Sequence, residues 1–204
     1  MLTVEADLAA VERRLRAGEL ICPVCAGVLA PWAWARPRLL RGLDSVVWVR
    51  PRRGRCRGCE RAHVLLPVDV LVRRADAVQV IGAALADKAI GLGHRKIAQR
   101  LGRPVSTARG WLRRLGSRAE PVRAAFTALA ATLTVDAPLP AAARSLFADV
   151  VEAIGAAAVA AARRFGVRVV SGWRLASAVS SGRLLAPGWP TESINTSWPW
   201  AAVM

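Results

Sequence analysis

Apolar residues in the middle of the chain recur at three- and four-residue spacing on both sides of a glycine. Before Gly102, the apolar face consists of Ile97, Ala98 and Leu101. After Gly102, it consists of Ala108, Trp111, Leu112 and Leu115. This spacing predicts two short amphipathic helices within 93–115, joined by a tight turn at the glycine. Such a pair is typical of a DNA-binding helix-turn-helix, and an ordinary αα-hairpin is the alternative.

A further apolar stripe precedes this pair and completes a predicted helix-turn-helix domain over 74–118. The stripe predicts a helix over 74–90 whose inward residues are Val78, Ile81, Leu85 and Ala89. Gly91 and Gly93 end this helix, and Gly116 ends the last helix of the domain. We expect the first helix to brace the other two as a three-helix unit.

The front of the chain is predicted to contain one helix and a β-rich unit. A helix over 3–17, within an N-terminal segment 1–18, would bury one apolar stripe formed by Val4, Leu8, Val11 and Leu15. Short runs of β-branched and alternating residues predict several strands over 19–67. Trp32 and Trp34 share one alternating face of these strands, and we expect them in the core of the unit.

The back of the chain is predicted to be α-helical over 119–182. Its longest helix, 141–165, carries a stripe formed by Ala143, Phe147, Val150, Ile154, Ala158 and Phe165. These side chains are too small to form a large core alone, so the stripe packs either on the preceding helix, 121–133, or on a second copy of the chain. We favour a homodimer, because two-fold binders engage two half-sites. The Trp- and Pro-containing tail, 183–204, either docks on the body or is disordered.

Four cysteines form two Cys-x-x-Cys pairs, Cys22 with Cys25 and Cys56 with Cys59, which are separated by 30 residues. Four thiolates favour tetrahedral Zn²⁺, and a complete set of ligands leaves no open position for catalysis. A small β unit with little core often needs such a site, so we predict a structural zinc ribbon. A redox Cys-x-x-Cys is the alternative. His63, four residues after Cys59, is a fifth candidate ligand, but we interpret it as a surface or phosphate-contacting residue because four cysteines already suffice.

The net charge of +16 is concentrated in the front of the chain. Residues 1–119 hold 23 basic and 9 acidic side chains, whereas residues 120–204 hold 7 and 5. Arginine outnumbers lysine 28 to 2, which we attribute to a GC-rich genome because alanine is also abundant. The excess charge itself indicates a polyanionic partner for the front of the chain, and double-stranded DNA suits the predicted helix-turn-helix.

Residues are assigned to DNA by their positions in the two predicted units. The second helix of a helix-turn-helix enters the major groove, so its exposed side would contact bases. The base-contacting candidates are Val105, Ser106, Arg109 and Arg113. The phosphate-contacting candidates are Arg50, Arg52, Arg53, Arg55, His94, Arg95, Lys96, Arg103 and Arg114. For the arginine-rich ribbon, a charged face that meets only solvent is the alternative.

No catalytic pattern stands out in the sequence, so we do not expect an enzyme. Neither histidine belongs to a Ser/His/Asp spacing, and no glycine-rich phosphate loop follows a strand. Asp136, Asp149 and Glu152 are interpreted as acids on helix surfaces. The chain starts without a basic cluster and hydrophobic run, and its most apolar segment carries charges, so we expect a cytoplasmic protein without a membrane span.

Two groups of motifs resemble known bacterial proteins. Cys-Pro-Val-Cys at 22–25 and Cys-Arg-Gly-Cys at 56–59, followed by the helix-turn-helix, resemble the N-terminal heads of insertion-sequence transposases. The runs 31–37, 56–67, 93–98 and 107–114 are similar to a family of small zinc-ribbon and helix-turn-helix proteins of uncharacterised function. The resemblance covers about residues 20–118, and it implies zinc and DNA binding and association with a transposase. It stops before any catalytic domain, so it implies no transposition chemistry.

The sequence therefore predicts an α+β protein with an N-terminal four-cysteine zinc ribbon, a three-helix helix-turn-helix unit and a C-terminal α-helical region. The predicted function is sequence-specific binding of double-stranded DNA, as a transposon-associated accessory factor or a transcriptional repressor. The alternative is an RNA- or protein-binding adaptor that uses the zinc ribbon and the C-terminal helices.

Overall fold

The computed structural model describes residues 1–134 and 145–190, which form an α+β fold. The strands are β1 (Leu2–Val4), β2 (Leu29–Trp34), β3 (Arg38–Arg41), β4 (Val46–Val49), β5 (Arg52–Cys56) and β6 (Ala62–Pro67). The helices are α1 (Leu8–Ala17), α2 (Val78–Ala89), α3 (His94–Arg100), α4 (Val105–Gly116), α5 (Ala119–Leu133), α6 (Leu146–Phe165) and α7 (Gly172–Val179). These strands all precede α2, so a β-rich front is followed by a helical back.

Four strands form a mixed sheet in the order β1-β6-β5-β2, beside a separate β3–β4 hairpin. β1 runs parallel to β6, and the β2–β5 and β5–β6 pairs are antiparallel. The prediction of a helix over 3–17 is therefore wrong in its first turns. Leu2 and Val4 are buried at the edge of the sheet instead, and α1 begins only after Asp7, whose carboxylate accepts a hydrogen bond from Ala9 N at 2.9 Å.

The N-terminal segment and the ribbon strands share one small core. Its buried residues are Leu2, Val4, Val11, Leu15, Leu20, Cys22, Leu29, Cys56 and Leu65. α1 packs against β2 and β5, and Gly18 ends the helix with a φ of +73°, as expected for a glycine at this position. α1 and the four-stranded sheet therefore share this core, with two of the cysteines inside it.

The two helices predicted around Gly102 are present as α3 and α4. Gly102 has a φ of +59°, and Arg103 N donates a hydrogen bond to the Ala98 carbonyl at 2.9 Å, which closes the turn. All seven residues predicted for their apolar faces are buried: Ile97, Ala98, Leu101, Ala108, Trp111, Leu112 and Leu115. α2 begins at Val78 and not at 74, because the preceding residues form turns and a bridge between Val70 and Ala77.

A larger core joins α2 and α4 to the helices behind them. It extends from Leu40 and Leu66 of the strands through α2–α7 to Trp189. Segments 74–118 and 119–182, which the sequence predicts as separate domains, share this core. The surface of α4 is therefore supported from behind by the helical back of the chain as well as by α2.

The apolar stripe of α6 packs within the chain. Val150, Ile154 and Ala158 are buried, and α6 lies against α5, α2 and α7. The helix begins after Ser145, whose hydroxyl accepts a hydrogen bond from Ala148 N at 3.2 Å. Of the two partners that the sequence leaves open for this stripe, the structure uses the preceding helix.

The last helix and the residues after it complete the larger core. α7 begins at Gly172, because the Ser171 hydroxyl caps it by accepting a hydrogen bond from Arg174 N at 3.4 Å. Leu184, Leu185 and Trp189 are buried, and the Trp189 ring lies 6.0 Å from the ring of Phe126. The docking alternative for the tail therefore holds as far as residue 190.

Several predictions concern residues outside the described ranges. They are the turn at 136–140, the start of the helix at 141–144, Asp136, and the tail residues Trp198 and Trp200.

Candidate functional site

The four cysteines meet at one end of the small core. Cys22 and Cys25 lie in the turn before β2, whereas Cys56 ends β5 and Cys59 lies in the turn before β6. Their Sγ atoms all lie within 4.8 Å of one another. The shortest separations are 3.4 Å between Cys25 and Cys56 and 3.7 Å between Cys22 and Cys59. The antiparallel pairing of β2 with β5 brings the two knuckles together across 30 intervening residues.

Both knuckles have the same backbone turn. Ala26 N donates to the Cys22 carbonyl at 3.0 Å, and Glu60 N donates to the Cys56 carbonyl at 3.1 Å. Ala26 and Glu60 have φ values of +58° and +61°, which non-glycine residues adopt only at some cost. The sequence contains no glycine at either position, so the strained conformation is held by the surrounding turns.

The local electrostatics favour thiolate at one cysteine. The backbone N–H of Cys59, reinforced by that of Gly58, lowers the pKa of Cys56 to about 6 against the opposing effect of burial. At Cys25 the Gly27 backbone N–H acts in the same direction, but hydrogen bonds with the neighbouring thiols outweigh it and raise the pKa to about 11. A cation between the four sulphurs would favour thiolate at all of them. The cluster could therefore hold a metal ion.

His63 is not a surface residue, which corrects the interpretation of this side chain from sequence. It is 5% exposed, and its Nε2 lies 3.4 Å from the Cys22 Sγ. Burial lowers its pKa first, and the positive charges of the Met1 amino group and Arg61 lower it further. The imidazole thus contacts the Cys22 sulphur from outside the four-sulphur group, as residues beside metal ligands commonly do. β6 places this side chain inward beside Leu65, but 64–67 is apolar at every position, so the sequence contains no alternation that marks the inward face.

The second candidate site is the outer face of α4. Val105, Ser106, Arg109 and Arg113 are all exposed. They lie opposite the buried stripe of Ala108, Trp111, Leu112 and Leu115. The helix therefore presents to solvent the four residues that the sequence assigns to base contacts.

The predicted phosphate-contacting residues near α4 separate into two groups. Arg95 and Lys96 are exposed in the first turn of α3, beside the partly buried His94. Arg103, by contrast, is 12% exposed in its side chain, and its Nε lies 2.6 Å from the Asp76 carboxylate. Arg114 is partly buried and donates to the Gly110 carbonyl at 3.0 Å. Charge is therefore freely available at the start of α3, whereas Arg103 is already neutralised inside the protein.

Two tryptophans lie under arginine side chains on the sheet and outside its core, contrary to expectation. Trp32 is 53% exposed and Trp34 is 38% exposed. The Arg52 guanidinium lies 4.7 Å from the centre of the Trp34 ring, and Arg55 lies 4.9 Å from that of Trp32. Such cation–π contacts leave part of each ring open.

The arginines predicted to contact phosphate on this sheet also differ in availability. Arg52 pairs with Glu12 and donates to the Ala33 carbonyl, so its charge is partly neutralised. Arg50 is exposed over Trp34, and Arg55 pairs with the exposed Glu60. Arg53 is partly buried. Of these four arginines, Arg50 is therefore the one most available for a phosphate contact.

Comparisons with protein-family models, curated proteins and solved structures found no match to this chain. Among the helices in residues 1–134 and 145–190, none is both long enough and apolar enough to cross a membrane. The case for function therefore depends on the two sites described above.

Proposed function

We propose that this protein binds double-stranded DNA in a sequence-specific manner through α4. The observation that carries this proposal is the exposure of Val105, Ser106, Arg109 and Arg113 on one face of a helix that is firmly buried on the other. A helix supported in this way can enter the major groove without losing its own core contacts. Arg109 and Arg113 lie one turn apart, and a guanidinium pairs well with the O6 and N7 acceptors of guanine.

We propose that the four cysteines hold one structural Zn²⁺. The support is the chemistry of the ligands, since four thiol sulphurs within 4.8 Å of one another match a tetrahedral set of four cysteine ligands. Zinc would cross-link the two knuckles, with all four ligands supplied by the protein and no position left for a substrate. The role in the cell, as a transposition accessory factor or a repressor, rests on the resemblance to transposase heads.

Selection of bound sequences from random duplexes tests the DNA proposal. We expect a preferred site, and Arg109→Ala should weaken binding to it by about 1–3 kcal/mol while changing binding to random duplex little. Arg95→Ala should weaken both alike and reduce the salt slope by about one unit, because it contacts phosphate. Arg163→Ala, on the exposed end of α6, is the matched control.

Two results would contradict the proposal. Equal losses for Arg109→Ala on preferred and random duplex would remove the assignment of α4 to base contacts. A selection that yields no preferred duplex would remove sequence-specific binding altogether.

The exposed β3–β4 hairpin favours a second candidate function, an RNA- or protein-binding adaptor. Its exposed apolar residues are Leu39, Leu43, Val46, Val47 and Trp48, of which Trp48 is 72% exposed. Apolar residues grouped in this way mark binding surfaces, and open tryptophan rings can stack on unpaired bases. Tighter binding of single-stranded RNA than of duplex DNA across a salt series, lost in Trp48→Ser, would support the adaptor function.

A further inference from the structure

A polar cleft of about 310 Å³ lies beside the first turn of α4. The arginine and hydroxyl side chains that line it are Arg41, Arg73, Arg74, Ser106, Thr107 and Arg114. They come from β3, from the loop before α2 and from α4, so the cleft exists only because the ribbon packs against the helices. Asp76 is the acidic residue in its wall.

The charges in this cleft are not balanced by acidic side chains among the described residues. Asp76 is 2% exposed, and its two oxygens are already paired with Arg41 at 2.7 Å and Arg103 at 2.6 Å. Within residues 1–134 and 145–190, no carboxylate pairs with Arg73, Arg74 or Arg114. Three guanidinium groups thus line one cleft without a counterion from the described chain.

The arginines also affect one another. Burial lowers the pKa of Arg74, and the nearby charges of Arg114 and Arg73 lower it further. The Nε of Arg74 is buried and has no hydrogen-bond partner among the described residues. Guanidinium groups held close together in a partly buried cleft repel one another, and this repulsion destabilises the fold. An anion bound between them offsets the repulsion.

The start of α4 adds hydrogen-bond donors to the same cleft. Pro104 precedes this 12-residue helix and provides no side-chain cap, so the backbone N–H groups of Val105 and Ser106 have no partner among the described residues, whereas Thr107 N donates to the Pro104 carbonyl at 2.9 Å. The hydroxyls of Ser106 and Thr107 line the cleft in that first turn. Anions bind favourably at such a position, because the helix dipole and the free N–H groups act together.

We propose that this cleft binds a phosphate group. Arg73, Arg74 and Arg114 would supply the charge, and the Ser106 and Thr107 hydroxyls would donate hydrogen bonds. A tetrahedral phosphate offers more oxygens to guanidinium forks than a carboxylate does, and it carries more negative charge. The phosphate belongs either to the backbone of a duplex held by α4 or to a free phosphate compound. The site follows from the chemistry of the cleft and does not require α4 to read bases.

Calorimetric titration of the full chain with inorganic phosphate and pyrophosphate tests this site. We expect saturable binding that weakens with rising salt, and a loss of about tenfold or more in Arg73→Gln/Arg114→Gln. The exposed pair Arg163→Gln/Arg164→Gln removes the same charge outside the cleft and should bind like the wild type. Arg73→Gln alone keeps the test valid if the double variant unfolds, because Arg73 is exposed.

Duplex DNA titrated with and without pyrophosphate distinguishes the two sources of phosphate. Competition between duplex DNA and pyrophosphate assigns the cleft to the DNA backbone. The same assignment follows if the wild type does not bind pyrophosphate and the cleft variants bind duplex more weakly than the control pair. If pyrophosphate binds without competing with duplex, or if the protein binds pyrophosphate and no duplex, the cleft is assigned to a free phosphate compound. In the last case the DNA proposal fails and the cleft proposal stands.

The cleft proposal is overturned if the cleft variants and the control pair bind pyrophosphate with equal affinity. It is also overturned if the wild type does not bind pyrophosphate and the cleft variants bind duplex as tightly as the control pair.

Discussion

At the scale of single residues, Gly82 shows how closely the helical core is fitted. A Cβ placed on Gly82 would lie 2.2–2.4 Å from ring atoms of Trp173, so α7 can approach α2 only at a glycine. We expect Gly82→Ala to lower the free energy of unfolding by about 1–3 kcal/mol, because the rigid indole ring must move. Urea denaturation measures this change.

Gly155 is the matched control for that substitution. It also lies inside a helix, α6, but a Cβ there meets no atom within 4 Å. Gly155→Ala should therefore raise the free energy of unfolding by up to about 1 kcal/mol, the usual helix-propensity difference. A destabilisation equal to that of Gly82→Ala would contradict the assigned contact with Trp173.

For His63 and Trp32, the sequence did not correctly predict whether the side chain is buried or exposed. Because four cysteines suffice as metal ligands, the sequence does not require His63 as a ligand. That count does not predict that the imidazole is buried next to Cys22. The alternation around Trp32 correctly indicates a strand, but alternation alone does not identify which face is covered. In this sheet, α1 covers the other face, and Trp32 meets Arg55 and solvent.

At the scale of elements, the four cysteines lie close together where the turn before β2 meets the turn between β5 and β6. We expect freshly purified protein to contain one Zn²⁺ per chain, and Cys56→Ser to lose it, because three ligands bind zinc much less tightly. Hydrogen exchange should then increase over 1–67 and less over α2–α7, whose core is separate. Elemental analysis without stoichiometric metal would contradict the zinc assignment.

The joint between the ribbon and the helices depends on Asp76. This buried carboxylate pairs with Arg41 of β3 and with Arg103 before α4, and Arg103 also donates to the Gly42 carbonyl. Asp76→Ala leaves two arginines facing each other, and we expect a loss of roughly 2–3 kcal/mol, below the usual cost for a fully buried pair because Arg41 is partly exposed.

Thermal or urea unfolding of Asp76→Ala measures this loss. Asp44→Ala, at the exposed tip of the β3–β4 hairpin, is the control and should change stability by less than about 0.5 kcal/mol. Equal stability of the two variants would show that the Asp76 ion pairs do not hold the joint.

At the scale of the whole molecule, the packing of α6 changes the expected oligomeric state. The apolar stripe that suggested a homodimer is covered by other helices of the same chain, and the outward face of α6 holds mainly Glu152, Gly155 and Arg163 around Val159. We therefore expect light scattering to give the mass of a monomer, 21.8 kDa, at micromolar concentration without DNA.

A dimer mass would contradict this expectation and indicate another surface. The β3–β4 hairpin is the apolar candidate, so Trp48→Ser would then be expected to restore the monomer. Val169→Glu, which changes an exposed valine outside the hairpin, is its control.

What the sequence determined by itself is the local structure and the ligand set. The helices α3–α6, the buried face of α4 and the helix ends at Gly18 and Gly166 follow from residue spacing and from the low cost of a positive φ at glycine. The two Cys-x-x-Cys spacings predict two pairs of neighbouring thiols, and the β2–β5 pairing then brings the two pairs together. Each of these signals lies within a few residues of the chain.

Only the tertiary structure decided the features that depend on distant residues. The strand at Leu2–Val4 exists because β6 offers it an edge, and the predicted domains 74–118 and 119–182 merge because α6 covers both α5 and α2. Arg103 is neutralised by a carboxylate 27 residues away, whereas Arg73 and Arg114 line one cleft and pair with no carboxylate among the described residues. Charge pairing and burial depend on distances in the folded chain, and spacing along the sequence does not specify those distances.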